Sequence, residues 1–541
     1  MDKPDHDPPP ANSTAAVTDE LIRALQDPSL YPHAVKHFSV IETHISWVIL
    51  TGDYAYKIKK PVNLGFVDFS TLARREHFCN EELRLNRRFA AELYLDVVAI
   101  RGSRTQPCLA GDGAVIEYAL KMREFTQSSL LNSYASEQRL LPAHIDAMAD
   151  VIADFHERAQ HADDDTAFGC CDTFLKWSRE NFRHIEAVLP GHVLPGGFES
   201  LKKWCLSLCD THQDTMNERL ANGFVRECHG DLHLGNMALI DGQITLFDCI
   251  EFNAELRWID TASEIAFLAM DLQAHGYPGY CWRFINRYLQ ACGDYSSVAL
   301  LRHYLVYRAL VRAKVEALRV QPPDSAAPNK PASYRDVSVY LDLATAWSTD
   351  TRPALLIMHG FSGSGKSTCA RQLVEALGAI QVRSDVERKR LFDLDPYATS
   401  ASATGQGIYT VDASEQTYDR LAELARTILQ AGYTTIVDAS FLKASQRDQF
   451  TRLASQYEVP YMFITCAAAE SVLRERIRQR AAHGTDPSEA TLDVLQQQIQ
   501  SHDPLTDEEQ AHALAPDHSR ALLAPEQLEV LKQRIAVHQP G

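Results

Sequence analysis

Residues 355–368 read LLIMHGFSGSGKST. An apolar run suited to a buried strand is followed by a glycine-rich turn, and Lys366 opens a segment of helical pattern. Gly360, Gly363 and Gly365 let successive backbone N–H groups converge on one point, and the helix start adds the positive end of its dipole. That order predicts a phosphate cradle, with Lys366 reaching the β- and γ-oxygens and Ser367 ligating Mg²⁺; Thr368 is the alternative hydroxyl.

The chain around this stretch alternates between the two periodicities. Strand candidates lie at 354–359, 380–383, 434–438 and 461–466, with helical segments between them. Such alternation predicts an α/β domain with a parallel sheet. VRSD at 382–385 puts Asp385 at the carboxyl edge of the second strand, where ligands bind in such sheets, although Asp385 reads equally as the N-cap of the next helix. TTIVDASF at 434–441 puts Asp438 where a metal-holding carboxylate belongs. In LRERIRQR (473–480), Arg474 and Arg478 share one helical face, and Arg476 and Arg480 another. At least one pair can close over the phosphates, and Arg474 with Arg478 is the nominated pair.

A second signature lies upstream. Residues 229–236 read HGDLHLGN, and LFDC follows at 246–249. Phosphoryl transfer to a hydroxyl needs a carboxylate at the acceptor oxygen, which suits Asp231. Asn236, five residues on, and Asp248, beyond a short hairpin, are placed to hold a metal; the Asp-x4-Asn…Asp order is that of a protein-kinase catalytic loop and metal loop. SWVILTGDYAYKI (46–58) predicts a hairpin about Gly52–Asp53, with Ala55, Lys57 and Lys59 on one strand face. The 74–89 pattern predicts a helix burying Phe78, Leu85 and Phe89, and 115–122 is a further strand candidate. Helical stretches are expected at 143–158, 174–188, 198–221, 261–318 and 337–347, with a linker at 321–331 and a disordered tail at 1–18.

HGDLHLGN with LFDC resembles the motif of the aminoglycoside phosphotransferase and choline kinase-like family, over roughly residues 30–345. The resemblance implies an α+β protein-kinase-like fold for 19–350, its N-lobe at about 30–122 and C-lobe at about 123–350. It implies Lys57 as the ATP-phosphate lysine, with Lys59 second, and Glu82 of CNEELRLN as its ion-pair partner, with Glu81 the alternative. His229 and His233 would orient the loop, and Asp260 would cap a helix. A GxGxxG loop is absent before Trp47, so the phosphate grip on that side stays open.

The region 351–525 resembles the P-loop kinase group of polynucleotide 5′-hydroxyl kinase, zeta-toxin-like kinases and gluconate kinase. That likeness implies Asp385 as base and Arg388 as an acceptor contact, leaving 526–541 as a C-terminal tail. The two regions in one chain are similar to proteins described as bifunctional aminoglycoside phosphotransferase/ATP-binding proteins. ATP and Mg²⁺ are implied for both regions, with small-molecule hydroxyl acceptors. The alternatives are one regulatory ATP-binding region, or a nucleotide-dependent binding or toxin–antitoxin-like module.

Composition narrows the partners. The 541 residues are 45% hydrophobic and 23% charged, an ordinary globular balance. A net charge of −18 argues against a broad nucleic-acid surface, while leaving a short 5′-hydroxyl oligonucleotide acceptor open. The twelve cysteines lack paired zinc spacing and read as reduced thiols. The acidic, Pro-rich start lacks the pattern of a signal peptide, and no apolar run reaches membrane-spanning length, so a cytoplasmic protein is expected. Neither acceptor identity nor oligomeric state is encoded in any motif.

Overall fold

The computed structural model describes residues 19–65, 67–163, 166–189, 191, 194–320, 334–349, 351–396, 398, 400, 407–483, 487–516 and 522–537. The expected tail at 1–18 and linker at 321–331 lie outside the described residues. The chain divides into two compact units: one takes residues up to 140 with 158–169 and 220–264, the other 141–157, 170–219 and 265 onward.

The first unit is built on six strands: β1 (Ser39–Glu42), β2 (Ser46–Leu50), β3 (Tyr54–Lys59), β4 (Tyr94–Gly102), β5 (Pro107–Cys108) and β6 (Val115–Arg123). Every neighbouring pair is antiparallel, in the order β1-β2-β3-β6-β4-β5. On β3, Tyr56 and Ile58 pack with Ile49 and Ile100 under Leu21 and Leu25. Ala55 faces the opposite way, among Leu120, Met122 and Ala90. Strand alternation therefore turns Lys57 and Lys59 toward the Leu72–Ala90 helix.

That helix is capped by Thr71, whose hydroxyl accepts the Arg74 N–H at 3.3 Å. Its buried residues are Arg75, Cys79, Glu82, Leu85, Asn86 and Ala90, whereas Phe78 and Phe89 are only half-buried. The apolar stripe expected from the sequence is thus rotated. Glu82 and Asn86 point inward because each finds a buried partner there, which offsets the cost of desolvation. The remainder of the unit pairs β7 (Val225–Glu227) with β10 (Trp258–Asp260), and joins β8 (Met237–Ile240) to β9 (Gln243–Leu246) through an Asp241–Gly242 turn.

The second unit combines a helical layer with a sheet of β11 (Leu355–His359), β12 (Ile380–Arg383), β13 (Thr435–Asp438), β14 (Tyr461–Thr465) and β15 (Ala513–Leu514). All its pairs are parallel, in the order β12-β13-β11-β14-β15. The helix expected over 198–221 is two, Phe198–Leu206 and Leu208–Ala221. Ser207 at the break turns its hydroxyl back onto Trp204 O at 2.8 Å, competing with the helical ladder.

Packing runs across two of the expected boundaries. The units do not divide at 350, because the Pro278–Cys292 helix packs on the Lys366–Leu377 helix and β12: Trp282 lies against Gly378, and Arg283 bridges Asp146 and Glu375 at 2.6 and 3.0 Å. Nor is 526–541 simply a tail. Pro525–Val537 is a helix whose Leu531 is buried, with Leu523, among Leu356, Met358 and Leu373.

Candidate active sites

In the first unit, the loop after β7 is held rigidly from behind. The Glu264 carboxylate accepts the His229 N–H at 2.9 Å and the Gly230 N–H at 3.0 Å. Gly230 has φ +88°, and a Cβ there would stand 2.7 Å from Leu256 O, so only glycine fits this turn. His229 Nε2 lies 2.8 Å from Phe247 O and must carry the proton, while Nδ1 accepts the Asp231 N–H at 3.3 Å. Burial lowers its pKa to about 4, consistent with a neutral ring that ties the loop to the Asp248 segment.

Asp231 is presented at the end of that turn. Asn236 Nδ2 donates to Asp231 Oδ2 and to its carbonyl, both at 3.0 Å, leaving Asn236 Oδ1 as the remaining acceptor. His233 Nε2 stands 3.4 Å from Asp231 Oδ2. Asp260 accepts the Ala262 N–H at 2.8 Å at the start of the Thr261–Ala274 helix, a capping contact.

Across the unit, Lys57 Nζ donates to Glu82 Oε1 at 2.7 Å and also pairs with Asp248. Lys59 Nζ meets the other oxygen, Glu82 Oε2, at 2.6 Å and pairs with Glu251. One buried carboxylate therefore serves two ammonium groups. Burial alone would raise the Glu82 pKa, but Lys57 and Lys59 outweigh it and hold the group near 2. Burial likewise works against the charge on Lys57, yet Asp248, Glu82 and Glu251 keep it well above the ordinary lysine value. Glu81 is engaged elsewhere, with Arg84 and Arg257 at 2.7 and 2.8 Å. Asp248 has φ +65°, a left-handed conformation that re-aims its carboxylate, and its N–H donates to the Tyr94 hydroxyl at 2.9 Å.

In the second unit, the glycine loop links β11 to the Lys366–Leu377 helix. Gly360 has φ +141°, and a Cβ there would meet Cys466 O at 2.1 Å; Gly363 and Gly365 also have positive φ. Lys366 Nζ donates to Gly360 O and Phe361 O, both at 2.9 Å, so it spans the loop mouth, and burial lowers its pKa. Ser364 Oγ is buried without a hydrogen-bond partner among the described residues, which fits an oxyanion seated in the loop. Ser367 is half-buried and acts to lower the Asp438 pKa, whereas Thr368 is exposed. Burial raises the Asp438 pKa, partly offset by Arg383 and by Ser367.

Asp385 sits in the first turn of the Ser384–Leu391 helix, whose N-cap is Arg383. Its charge acts on Lys366, Asp438 and Tyr409. Arg388 Nη1 donates to Ile408 O at 3.0 Å and its guanidinium lies 5.4 Å from the Tyr409 ring centre, while its buried Nε has no partner among the described residues. The nominated lid arginines sit elsewhere: Arg474 binds Glu470 and Gln496, each at 2.8 Å, and exposed Arg478 stands 3.8 Å from Glu475. The other face meets the loop, Arg476 donating to Gly363 O at 3.2 Å. The reason is that Leu473 and Ile477 bury against Leu495 and Phe361, which fixes the helix rotation.

Sequence reasoning did not single out Glu251, Glu264, Gln381 or Arg383. Gln381 and Arg383 did leave a signal, polar residues at alternate positions of a strand whose parallel setting calls for apolar ones. Glu251 and Glu264 left none, since their roles depend on remote partners. The donor sets suit Mg²⁺ in both units, Asn236 with Asp248 and Ser367 with Asp438 being hard oxygen ligands.

A family model described as an AAA domain matches residues 355–505. A sugar kinase from Janibacter sp. HTCC2649 aligns over 35% of this chain and 96% of its own at 22% identity, with a TM-score of 0.25. A choline/ethanolamine kinase family protein from Mesorhizobium loti aligns over 61% and 94% at 11% identity, with a TM-score of 0.38. Likenesses this distant add no weight to the geometry of either site. The uncharacterized protein Rv2004c of Mycobacterium tuberculosis is 31% identical over 458 residues, 83% of this chain and 87% of the relative, and this chain belongs to its family.

Proposed function

We propose that the chain is an ATP-dependent phosphotransferase with two kinase-type sites, one in each unit, each acting on a hydroxyl acceptor. The observation that carries this reading is that each unit assembles a full set of reacting groups by itself. The first has Asp231 bonded by Asn236 at 3.0 Å and Lys57 bonded by Glu82 at 2.7 Å. The second has Lys366 across a glycine loop and Ser367 against Asp438. When bound, ATP supplies the phosphoryl group, and Mg²⁺ neutralises charge on its oxygens.

In the first site, Asp231 takes the proton of the acceptor hydroxyl as its oxygen attacks; Asn236 keeps the carboxylate aimed. Lys57, charged because Glu82 and Asp248 face it, holds phosphate oxygens, while Asn236 Oδ1 and Asp248 would hold the metal. In the second site, Lys366 and the loop N–H groups hold the phosphates, Ser367 and Asp438 would hold the metal, and Asp385 takes the acceptor proton. Arg388 holds the acceptor through its unpartnered Nε, and Arg476 closes over the loop.

The test is ATP consumption by wild type, Asp231→Ala and Lys366→Ala across a panel of metabolites and 5′-hydroxyl oligonucleotides. Each substitution is expected to abolish turnover with its own acceptor and spare the other. Unchanged turnover in both variants with every acceptor overturns the reading, and loss in Lys366→Ala alone makes the first site an accessory.

A further inference from the structure

Gln381 is a buried amide in the middle of β12. Strand alternation puts it on the same face as Arg383, whose register partner on β13 is Asp438. Its Nε2 donates to Asp438 Oδ2 at 2.9 Å. The other polar atoms of Gln381 are all taken by one stretch of the helical layer. Its N–H donates to Asn286 Oδ1 at 2.6 Å, its carbonyl accepts the Tyr295 hydroxyl at 3.2 Å, and its Oε1 accepts Gln290 Nε2 at 3.3 Å. Asn286 is fixed in turn, donating to Ala379 O at 2.9 Å and to Trp282 O at 2.8 Å.

We propose that Gln381 is a positioning residue for the Asp438 carboxylate, and that the Pro278–Cys292 helix is a working part of the nucleotide site. The inference rests on reading Ser367 and Asp438 as the metal-holding pair. Mg²⁺ tolerates little departure from octahedral geometry, so the angle of a ligating carboxylate matters as much as its charge. Arg383 supplies charge to the same oxygen, but its Nε stands 3.6 Å away, too far for a hydrogen bond. Gln381 is the group that sets direction. Its amide has one flip because the Asp438 carboxylate can only accept, which puts Nε2 on Asp438, and Gln290 Nε2, donating to Oε1, holds the other end of the amide. A helix lying before the glycine loop in the chain thereby reaches the site through one amide.

The experiment uses the full chain and ADP, with binding followed by calorimetry over a Mg²⁺ titration and in EDTA; binding that persists in Lys366→Ala belongs to the first unit and is subtracted throughout. Gln381→Met keeps the volume and removes the donor; Gln290→Leu keeps Gln381 and removes the hold on its Oε1, so that the amide is tethered at one end only. Both should need roughly tenfold more Mg²⁺ for half-maximal tightening of ADP. Their ADP affinity in EDTA should match the wild type, whatever loss of melting temperature the broken hydrogen bond brings. A wild-type Mg²⁺ requirement in both variants overturns the proposal. Should Gln381→Met unfold, Gln290→Leu carries the same expectation and the same power to refute it. Wild type that binds no more ADP than Lys366→Ala overturns the reading of this loop as a nucleotide site, a failure distinct from that of the Gln381 proposal.

Discussion

Glu82 shows how one side chain can anchor a site. It is fully buried, and its two oxygens meet Lys57 at 2.7 Å and Lys59 at 2.6 Å. A buried carboxylate is costly alone, and two buried ammonium groups are costlier still; the cluster is stable only with its members together. Replacing Glu82 by Gln leaves Lys57 to Asp248 and Lys59 to Glu251, with the shared anion gone. Urea denaturation of that variant should show a loss of about 3 kcal/mol or more, as for other broken buried pairs. A loss within about 0.5 kcal/mol, the range of neutral surface changes, would mean that the cluster is held by Asp248 and Glu251 alone. Lys57, Glu82 and Asp248 stand out in the sequence because each sits at a motif position. The double duty of Glu82 does not, since Lys57 and Lys59 lie 25 and 23 residues before it, beyond any local periodicity.

At the scale of elements, the strands and helices around both motifs follow from periodicity, and their rotations do not. The Leu72–Ala90 helix turns Glu82 and Asn86 inward instead of Phe78 and Phe89, because inward polar groups find partners there. The 470–483 helix turns Arg476 to the glycine loop because Leu473 and Ile477 are the residues it buries. The Pro525–Val537 helix is the clearest element that sequence pattern undervalued. Its Leu531 is wholly buried in the core beneath the glycine loop, beside Cys369 of the loop's own helix. Leu531→Ala should therefore cost about 2–5 kcal/mol in denaturant unfolding followed by a probe in the second unit. A surface tail would cost almost nothing, and that result would remove this helix from the core.

For the whole molecule, buried histidines set the acid response. His229 and His359 are held neutral by burial, each with a pKa of about 4, and His303 with one of about 3. The unfolded chain takes up protons on these residues below about pH 6.5, where the folded chain does not. The folded state is therefore at full advantage above that pH and loses stability as pH falls toward about 4, with His303 contributing further to about 3. His303 stacks flat on Trp204, with ring centres 4.1 Å apart. His303→Phe keeps a ring for that stack and has no proton to accept, so its melting temperature should fall less than wild type between about pH 7 and 5. Parallel pH profiles for the two would show that His303 does not carry this dependence. Among the described residues, no helix is long and apolar enough to cross a membrane.

What the sequence by itself determined lies within a few residues of chain: the strand, glycine loop and helix at 355–368, and the Asp-x4-Asn spacing at 231–236. Both are local because backbone conformation and short-range geometry make them, and such information is carried by neighbouring residues. Tertiary structure alone decided which helix clamps Gln381, which arginine meets the loop, and where the compact units divide. Asn286 and Gln381 are 95 residues apart, and Lys59 and Glu251 are 192 apart. No periodicity spans such distances; packing brings these groups together, and burial then makes each hydrogen bond obligatory.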